Sequence, residues 1–152
     1  MQITLATPDD IGTLFDIRTG VTQNHQSRQE LAALGVTAER LAEMLQTRSR
    51  AWLAHVDGAA AGFSMADSAR ATVFALFVRP GFEGRGIGRR LMAEAEDWLF
   101  GQGWDQIWLA TGGDESLRAL GFYGHLGWVP AGVLDDGQIR FVKRQPGPFT
   151  PG

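Results

Sequence analysis

The 152-residue chain contains no cysteine, and this absence excludes several kinds of chemistry. The protein cannot form a disulfide, a thiolate metal site or a cysteine nucleophile. Its longest strongly apolar stretch, Val73 to Val78, is six residues long, far short of the ~20 that span a bilayer. The first five residues lack the basic start and apolar run of a signal peptide. We therefore expect a cytoplasmic protein that makes no membrane contact.

A concentration of positive charge is also missing. The chain has 14 Lys and Arg against 17 Asp and Glu, and the basic residues are scattered along it. An electrostatic nucleic-acid binder needs a basic patch or stripe, so we expect no nucleic-acid partner. The three histidines show no metal-ligand spacing, and we expect no metal.

Hydrophobic residues are plentiful, at 44% of the chain with nine phenylalanines, so a globular core is expected. We predict a single α/β domain over residues 1–145. Residues 146–152, with their prolines and glycines, are predicted to form a flexible C-terminal tail.

Local patterns predict the elements of the N-terminal half. Thr7 is typical of a helix cap, and Ile11, Leu14 and Phe15 follow at the spacing of one helix face. A second helix is predicted to begin after Thr37, and the polar segment between the two helices is a candidate substrate loop. Strands are predicted over residues 51–56 and 60–65, joined by an Asp-Gly turn, and a fully buried strand over 72–78.

The C-terminal half alternates in the same way. A helix with one apolar stripe is predicted from residue 87 to about residue 100, followed by a short strand over 106–110. A short helix over 115–125 and a closing hairpin, 128–134 with 138–143, complete the pattern.

The segment Glu83-Gly84-Arg85-Gly86-Ile87-Gly88 joins the buried strand directly to a helix start. Helix N-termini present N–H groups and a positive dipole end that attract phosphate, and glycines let the backbone approach an anion. Arg85, Arg89 and Arg90 add positive charge. A Walker A loop would need Lys-Ser/Thr where Ile87-Gly88 stands, and a dinucleotide fingerprint would need a glycine at Arg89. Two alternatives remain for this segment. It is either an anion site of another type or a turn that only joins two elements.

Two motifs resemble the GCN5-related N-acetyltransferase (GNAT) family. The first is Glu83-x-x-Gly86-x-Gly88 after Val78-Arg79-Pro80, where Glu83 stands in place of the usual Gln or Arg. The second spans 116–128, where Ala119, Phe122, Tyr123, Gly127 and Trp128 match and Ser116 replaces the common asparagine. The resemblance implies an α/β sandwich with a mixed, mostly antiparallel sheet of about seven strands and helices on both faces. It also implies acetyl-CoA as cosubstrate, held by Phe77, Val78, Glu83, Gly84, Arg85, Gly86, Ile87, Gly88, Arg89, Ser116, Phe122 and Tyr123.

The resemblance further implies catalytic roles. Tyr123 is the expected general acid that reprotonates the CoA thiolate, and the backbone N–H of Val78 is the expected oxyanion donor. The first two helices and their connection line the acceptor side in this family, so Phe15, Arg18, Asn24 and His25 are acceptor-site candidates. The general base stays open between Asp67, His25, Asp16 and ordered water. We expect the side chain of Glu83 to point away from the pyrophosphate.

These features together predict transfer of acetyl from acetyl-CoA to a primary amine of a small molecule or peptide. Because cysteine is absent, direct attack by the amine in a ternary complex is expected. The alternatives are a catalytically silent acyl-CoA-binding or sensor module and a protein-interaction domain that has kept only the fold. Homodimers are common in proteins of this kind, and a homodimer is compatible with this chain.

Overall fold

The computed structural model of the chain describes residues 1–21, 26–112 and 116–146, with side chains described from residue 120 onward in the last range. Asn24, His25 and nearly all of the predicted tail therefore lie outside the described residues. A short 3-10 helix over Pro8–Asp10 leads into the first of the α-helices, which are α1 (Ile11–Gly20), α2 (Arg28–Ala33), α3 (Ala38–Thr47), α4 (Ile87–Gly101) and α5 (Ser116–His125). The strands are β1 (Gln2–Leu5), β2 (Ser49–Val56), β3 (Ala59–Asp67), β4 (Thr72–Val78), β5 (Gln106–Thr111), β6 (Val129–Val133) and β7 (Ile139–Arg144).

The strands of the described residues form one seven-stranded sheet in the order β1-β2-β3-β4-β5-β7-β6. Neighbouring strands are antiparallel except β4 and β5, which are parallel. The predicted mixed, mostly antiparallel sheet of about seven strands is confirmed.

Helices cover both faces of the sheet, as predicted. On one face, α1 and α3 pack against β2 and β3, and Leu14, Phe15 and Ile17 of α1 are buried there. On the other face, α4 packs against β2, β3, β4 and β5. The α4 stripe of Ile87 and Leu91, continued by Ala95 and Leu99, is almost wholly buried, as its spacing predicts.

Helix α2 was not predicted, because the segment before Thr37 was interpreted as a polar loop. Its start carries a capping box: Ser27 Oγ accepts from the Glu30 N–H at 3.1 Å, and the Glu30 carboxylate accepts from the Ser27 N–H at 3.3 Å. The Ser-x-x-Glu spacing is visible in the sequence. With only six residues, however, the helix is too short for its apolar spacing to reveal it.

Strand β4 is not fully buried, which corrects the prediction for residues 72–78. Thr72 and Val73 are buried, but Phe74 is 43% exposed and residues 75–78 are only half-buried. A run of consecutive apolar residues is typical of a strand that is covered on both faces, and this pattern led to the prediction. Here the second half of the strand instead forms the wall of an opening.

Candidate active site

The sheet opens between β4 and β5. These parallel strands are paired at one position only, Thr72 with Trp108. The Trp108 N–H donates to the Ala71 carbonyl at 3.0 Å, and the Thr72 hydroxyl donates to the Trp108 carbonyl at 2.8 Å. Beyond this point the strands separate, and a cavity of about 930 Å³ reaches from α1, α2 and α3 through the opening to α4 and α5.

At the end of β4, successive backbone N–H groups point alternately toward β3 and toward this opening. The Arg79 N–H donates to the Ala61 carbonyl of β3 at 2.8 Å. Because N–H directions alternate along a strand, the Val78 N–H points the other way, toward β5. The role of Val78 as oxyanion donor stays a prediction, and its N–H is directed away from β3.

Gly62 allows this arrangement of β3 and β4. It is paired with Val78, and a Cβ built on Gly62 would lie 2.7 Å from the Phe77 carbonyl oxygen. Any larger residue would force the end of β4 away from β3. Gly62 was not singled out from the sequence, because only the pairing of the strands reveals the close approach.

The N-terminus of α4 lies at the edge of the same cavity. Gly84 and Gly86 have φ values of 76° and 77°, a left-handed conformation that glycine adopts without strain. The Arg90 N–H bonds to the Gly86 carbonyl, so the N–H groups of residues 87–89 precede the first helical bond. Gly86 is the N-cap and no side chain of the described residues caps this helix. The helix start therefore has the form of an anion site.

The charged residues of the turn are arranged around this helix start. The Glu83 carboxylate accepts the Gly81 N–H at 3.3 Å and so folds back on its own turn. The Arg85 guanidinium lies over the Phe82 ring, 5.4 Å from its centroid. Arg89 is exposed and lines the cavity. The two guanidiniums add positive charge to the positive end of the helix dipole, which favours an anion at this point.

Tyr123 and Phe122 of α5 form part of the cavity wall. A Cβ on Gly88 would lie 3.4 Å from the Phe122 ring, so α5 packs directly on the start of α4. The Tyr123 ring packs against the rings of Phe122, Phe141 and Trp128, with centroid distances of 5.0, 5.4 and 6.3 Å. These three contacts fix the direction of the phenol within the wall.

The other half of the cavity lies against α1. The Arg18 guanidinium sits 4.4 Å from the Phe77 ring centroid, and its Nη2 donates to the Gln26 side-chain oxygen at 2.8 Å. Burial lowers the pKa of Arg18 from its ordinary value, although an arginine stays charged. Phe15 is 3% exposed and borders the cavity as a core residue.

Most of the predicted site residues meet in this one cavity. Those lining it are Phe15, Arg18, Phe77, Val78, Glu83, Gly84, Gly86, Ile87, Gly88, Arg89, Phe122 and Tyr123. Arg85 is held on Phe82 beside it. Ser116 begins α5, but its side chain is outside the described residues. Lining residues that sequence reasoning missed include Leu34, Val36, Arg40 and Met44, which join the wall from the α2–α3 region.

The described candidates for a general base do not reach the cavity. Asp67 pairs with Arg48 at 3.1 Å, accepts the Ala69 N–H at 2.9 Å and does not line the cavity. Asp16 is exposed on α1 and also lies outside the lining. Glu83 is the only carboxylate, and no histidine occurs, among the described lining residues.

No group of three potential metal ligands occurs within residues 1–21, 26–112 and 116–146. None of the helices in those ranges has the length and apolar character needed to cross a membrane.

The comparisons with known proteins agree with this architecture. The model of the acetyltransferase (GNAT) family matches residues 14–128, so the chain belongs to that family. Over 87 residues it is 38% identical to mycothiol acetyltransferase of Beutenbergia cavernae. This match covers 54% of the chain and only 29% of that relative's length.

Solved structures share the fold. PaiA N-acetyltransferase of Thermoplasma acidophilum, in complex with coenzyme A, superposes with a TM-score of 0.76 at 18% identity, over 95% of this chain and 100% of that one. YncA of Salmonella typhimurium, with acetyl-CoA, gives 0.73 at 16% identity, over 100% and 98%. The predicted acetyltransferase fold is confirmed; the YncA structure contains acetyl-CoA, the cosubstrate that the family resemblance predicts, and the PaiA structure contains coenzyme A.

Proposed function

We propose that this protein transfers the acetyl group of acetyl-CoA to a primary amine of a small molecule or peptide. The observation that carries the proposal is the split between β4 and β5. It joins two parts of one cavity: on one side of the sheet a glycine-lined helix start that no described side chain caps, and on the other side the part that lies against α1. Such a cavity admits two substrates from opposite faces and brings them together at the end of β4.

The donor half supplies groups that fit acetyl-CoA. The N–H groups of Ile87, Gly88 and Arg89, with the Arg85 and Arg89 side chains, would hold the pyrophosphate. An amide-bearing pantetheine arm can bond along the open edge of β4 as a further strand would, which leaves the Val78 N–H at the end of that edge for the acetyl oxygen. When bound, acetyl-CoA supplies an acetyl group activated as a thioester.

In the reaction, the amine nitrogen forms a C–N bond with the acetyl carbon while the C–S bond breaks. The Val78 N–H stabilises the negative charge that develops on the acetyl oxygen. The Tyr123 hydroxyl gives its proton to the departing sulfur, which is uphill by ~2 kcal/mol because a phenol is a weaker acid than a thiol. The proton lost by the amine passes through water to the Tyr123 phenolate and restores the phenol. Water is the proposed carrier because Glu83 is the only carboxylate, and no histidine occurs, among the described lining residues.

Binding and turnover test the proposal separately. At acetyl-CoA concentrations near 100 times Kd, native-state stabilisation is ~2.7 kcal/mol, which raises Tm by roughly 5–10 °C in a domain of this size. Thiol release is then measured over a panel of primary amines. No stabilisation at millimolar acetyl-CoA would overturn the proposal. Stabilisation with no thiol release from any amine would identify a silent acyl-CoA-binding module instead.

Removal of the Tyr123 hydroxyl tests its role as proton donor. Tyr123→Phe retains the ring contacts with Phe122 and Phe141, so acetyl-CoA affinity should stay unchanged. We expect kcat to fall by ~10²–10⁴, the usual contribution of general acid–base catalysis. Thr47→Val is the matched control, because its hydroxyl bonds the Glu43 carbonyl away from the cavity. Full turnover of Tyr123→Phe with unchanged affinity would remove the tyrosine from the mechanism.

The remaining parts of the proposal concern the protein's setting. We propose one acetyltransferase domain over residues 1–145, acting in the cytoplasm and without a nucleic-acid or membrane partner. Size-exclusion chromatography with light scattering distinguishes the monomer from the homodimer that the sequence analysis left open.

A further inference from the structure

We propose that the acceptor is an amine that also carries a carboxylate and an apolar body, as in apolar amino acids and short apolar peptides. The inference rests on the proposed function, and it specifies the chemical class of the second substrate. It is carried by the charge and polarity of the cavity half that lies against α1, α2 and α3.

The charge in this half is positive. Arg18 from α1 and Arg40 from α3 line it, whereas Glu83, the only carboxylate among the described lining residues, belongs to the turn before α4. A polyamine or an aminoglycoside would bring several cations against two guanidiniums without a described carboxylate to pair them. Like charges that are brought together repel strongly when they lose water. A carboxylate-bearing amine has the complementary charge.

Arg18 is suited to bind a carboxylate near the reaction centre. Its guanidinium is held by the Phe77 ring and the Gln26 amide, and Phe77 precedes the proposed oxyanion donor Val78 in the chain. A held, partly desolvated guanidinium forms charge-assisted, bidentate bonds to a carboxylate at little further cost in entropy. Burial lowers the pKa of Arg18 because desolvation disfavours the charged guanidinium. A bound anion would offset that unfavourable desolvation.

The rest of this half is apolar. The α2–α3 connection contributes Leu34 and Val36, and Leu31 and Met44 extend the surface. Leu34 is 68% exposed although it lies along the cavity. An apolar substituent on the acceptor would cover this surface, which favours apolar over polar amino-acid side chains.

The test compares matched amines in the thiol-release assay. L-leucine and L-phenylalanine, as free amino acids and as N-terminal residues of dipeptides, are set against isoamylamine and phenethylamine, which lack the carboxylate, and against spermidine. We expect kcat/KM for at least one carboxylate-bearing member to exceed that of its matched amine by ~10-fold or more. Equal or greater turnover of the decarboxylated amines or spermidine would overturn the inference.

Arg18→Gln and Arg28→Gln form a matched pair of variants. Both guanidiniums sit over an aromatic ring, Arg18 at 4.4 Å from Phe77 and Arg28 at 4.3 Å from Phe15, but Arg28 does not line the cavity. Arg18→Gln should raise KM for the carboxylate-bearing amine by ~10–100-fold and change KM for its decarboxylated analogue little. Arg28→Gln should change neither. An equal effect of Arg18→Gln on both amines would overturn the inference.

The acetyl-CoA thermal shift separates this failure from a failure of the proposed function. Both variants should keep the shift, because neither residue belongs to the donor half. If acetyl-CoA stabilises the protein and only cationic amines release thiol, the carboxylate inference fails and the acetyltransferase proposal stands. If acetyl-CoA does not stabilise the protein, the proposed function itself fails.

Discussion

A buried ion pair ties α4 to the end of the sheet that supports Tyr123. Lys143 of β7 donates through Nζ to Glu96 of α4 and to the Leu126 carbonyl, the latter at 2.7 Å. The second Glu96 oxygen accepts the Trp128 indole N–H at 3.0 Å. Glu96 is 7% exposed, and the Lys143 side chain is 20% exposed. Lys143→Met removes the charge while keeping most of the stem, so it tests the pair with little change in packing.

The expected loss follows from what the substitution leaves behind. The Glu96 carboxylate stays buried with only the indole, and the Leu126 carbonyl loses the Lys143 donor. Breaking a buried pair by removing one partner costs ~3–5 kcal/mol. Because Lys143 is partly exposed, water can replace some of its bonding, and we expect about 3 kcal/mol. For a domain of this size that corresponds to a Tm lower by ~6–12 °C.

The assay is thermal and urea unfolding of three variants beside the wild type. Arg144→Met is the matched control, since Arg144 lies next to Lys143 on the same strand but is exposed. The double variant Lys143→Met with Glu96→Gln removes both charges and keeps an acceptor for Trp128. It should therefore lose less stability than Lys143→Met alone. A Tm of Lys143→Met within 2 °C of the control would refute the view that the pair stabilises the fold.

Two further substitutions address the opening and the helix start. Gly62→Ala should displace the end of β4, because its Cβ would lie 2.7 Å from the Phe77 carbonyl oxygen, and it should cost ~1–3 kcal/mol in urea unfolding and lower kcat. Gly12→Ala, with no atom within 4 Å of the added Cβ, is the control and should not lower stability; equal behaviour of the two would contradict the steric argument. Glu83→Gln should lower the Kd of acetyl-CoA by ~2–5-fold at low salt and less at high salt, measured by calorimetric titration. Glu94→Gln, on the exposed side of α4, should leave Kd unchanged, and the same small effect from both would show that Glu83 does not oppose the pyrophosphate.

The glycine-rich turn could be predicted from the sequence because its information is local. A strand, three glycines and a helix start follow one another within about a dozen residues, and each conformation depends on neighbours in the chain. The structure places Gly84 and Gly86 in the left-handed region and leaves the start of α4 without a side-chain cap among the described residues. The bounds of β4 and the start of α4 agree with the prediction for the same reason.

The acceptor half could not be predicted in the same way. Leu34, Val36 and Arg40 reach the cavity only because α3 packs against α1 and β2 and brings the α2–α3 region beside it, and nothing local in their sequence indicates this. The half-burial of β4 likewise depends on its separation from β5 after one paired residue. Sequence spacing distinguishes a strand from a helix, but it does not reveal along which part of its length the strand is paired with each neighbour.

The alternation of side chains along β4 supports the proposal that one strand serves both substrates. Phe77 packs with Phe63 in the cluster beneath α1, whereas Val78 packs with Ile87 and Leu91 beneath α4. Consecutive side chains of a strand point to opposite faces, so these neighbours face the two surfaces that we propose for the acceptor and the donor. The family resemblance implies that Phe77 contacts the cofactor, and its ring lies under Arg18 on the side that we propose binds the acceptor. The contact of Phe77 with acetyl-CoA stays a prediction, and we propose that its ring holds the cation that selects the acceptor.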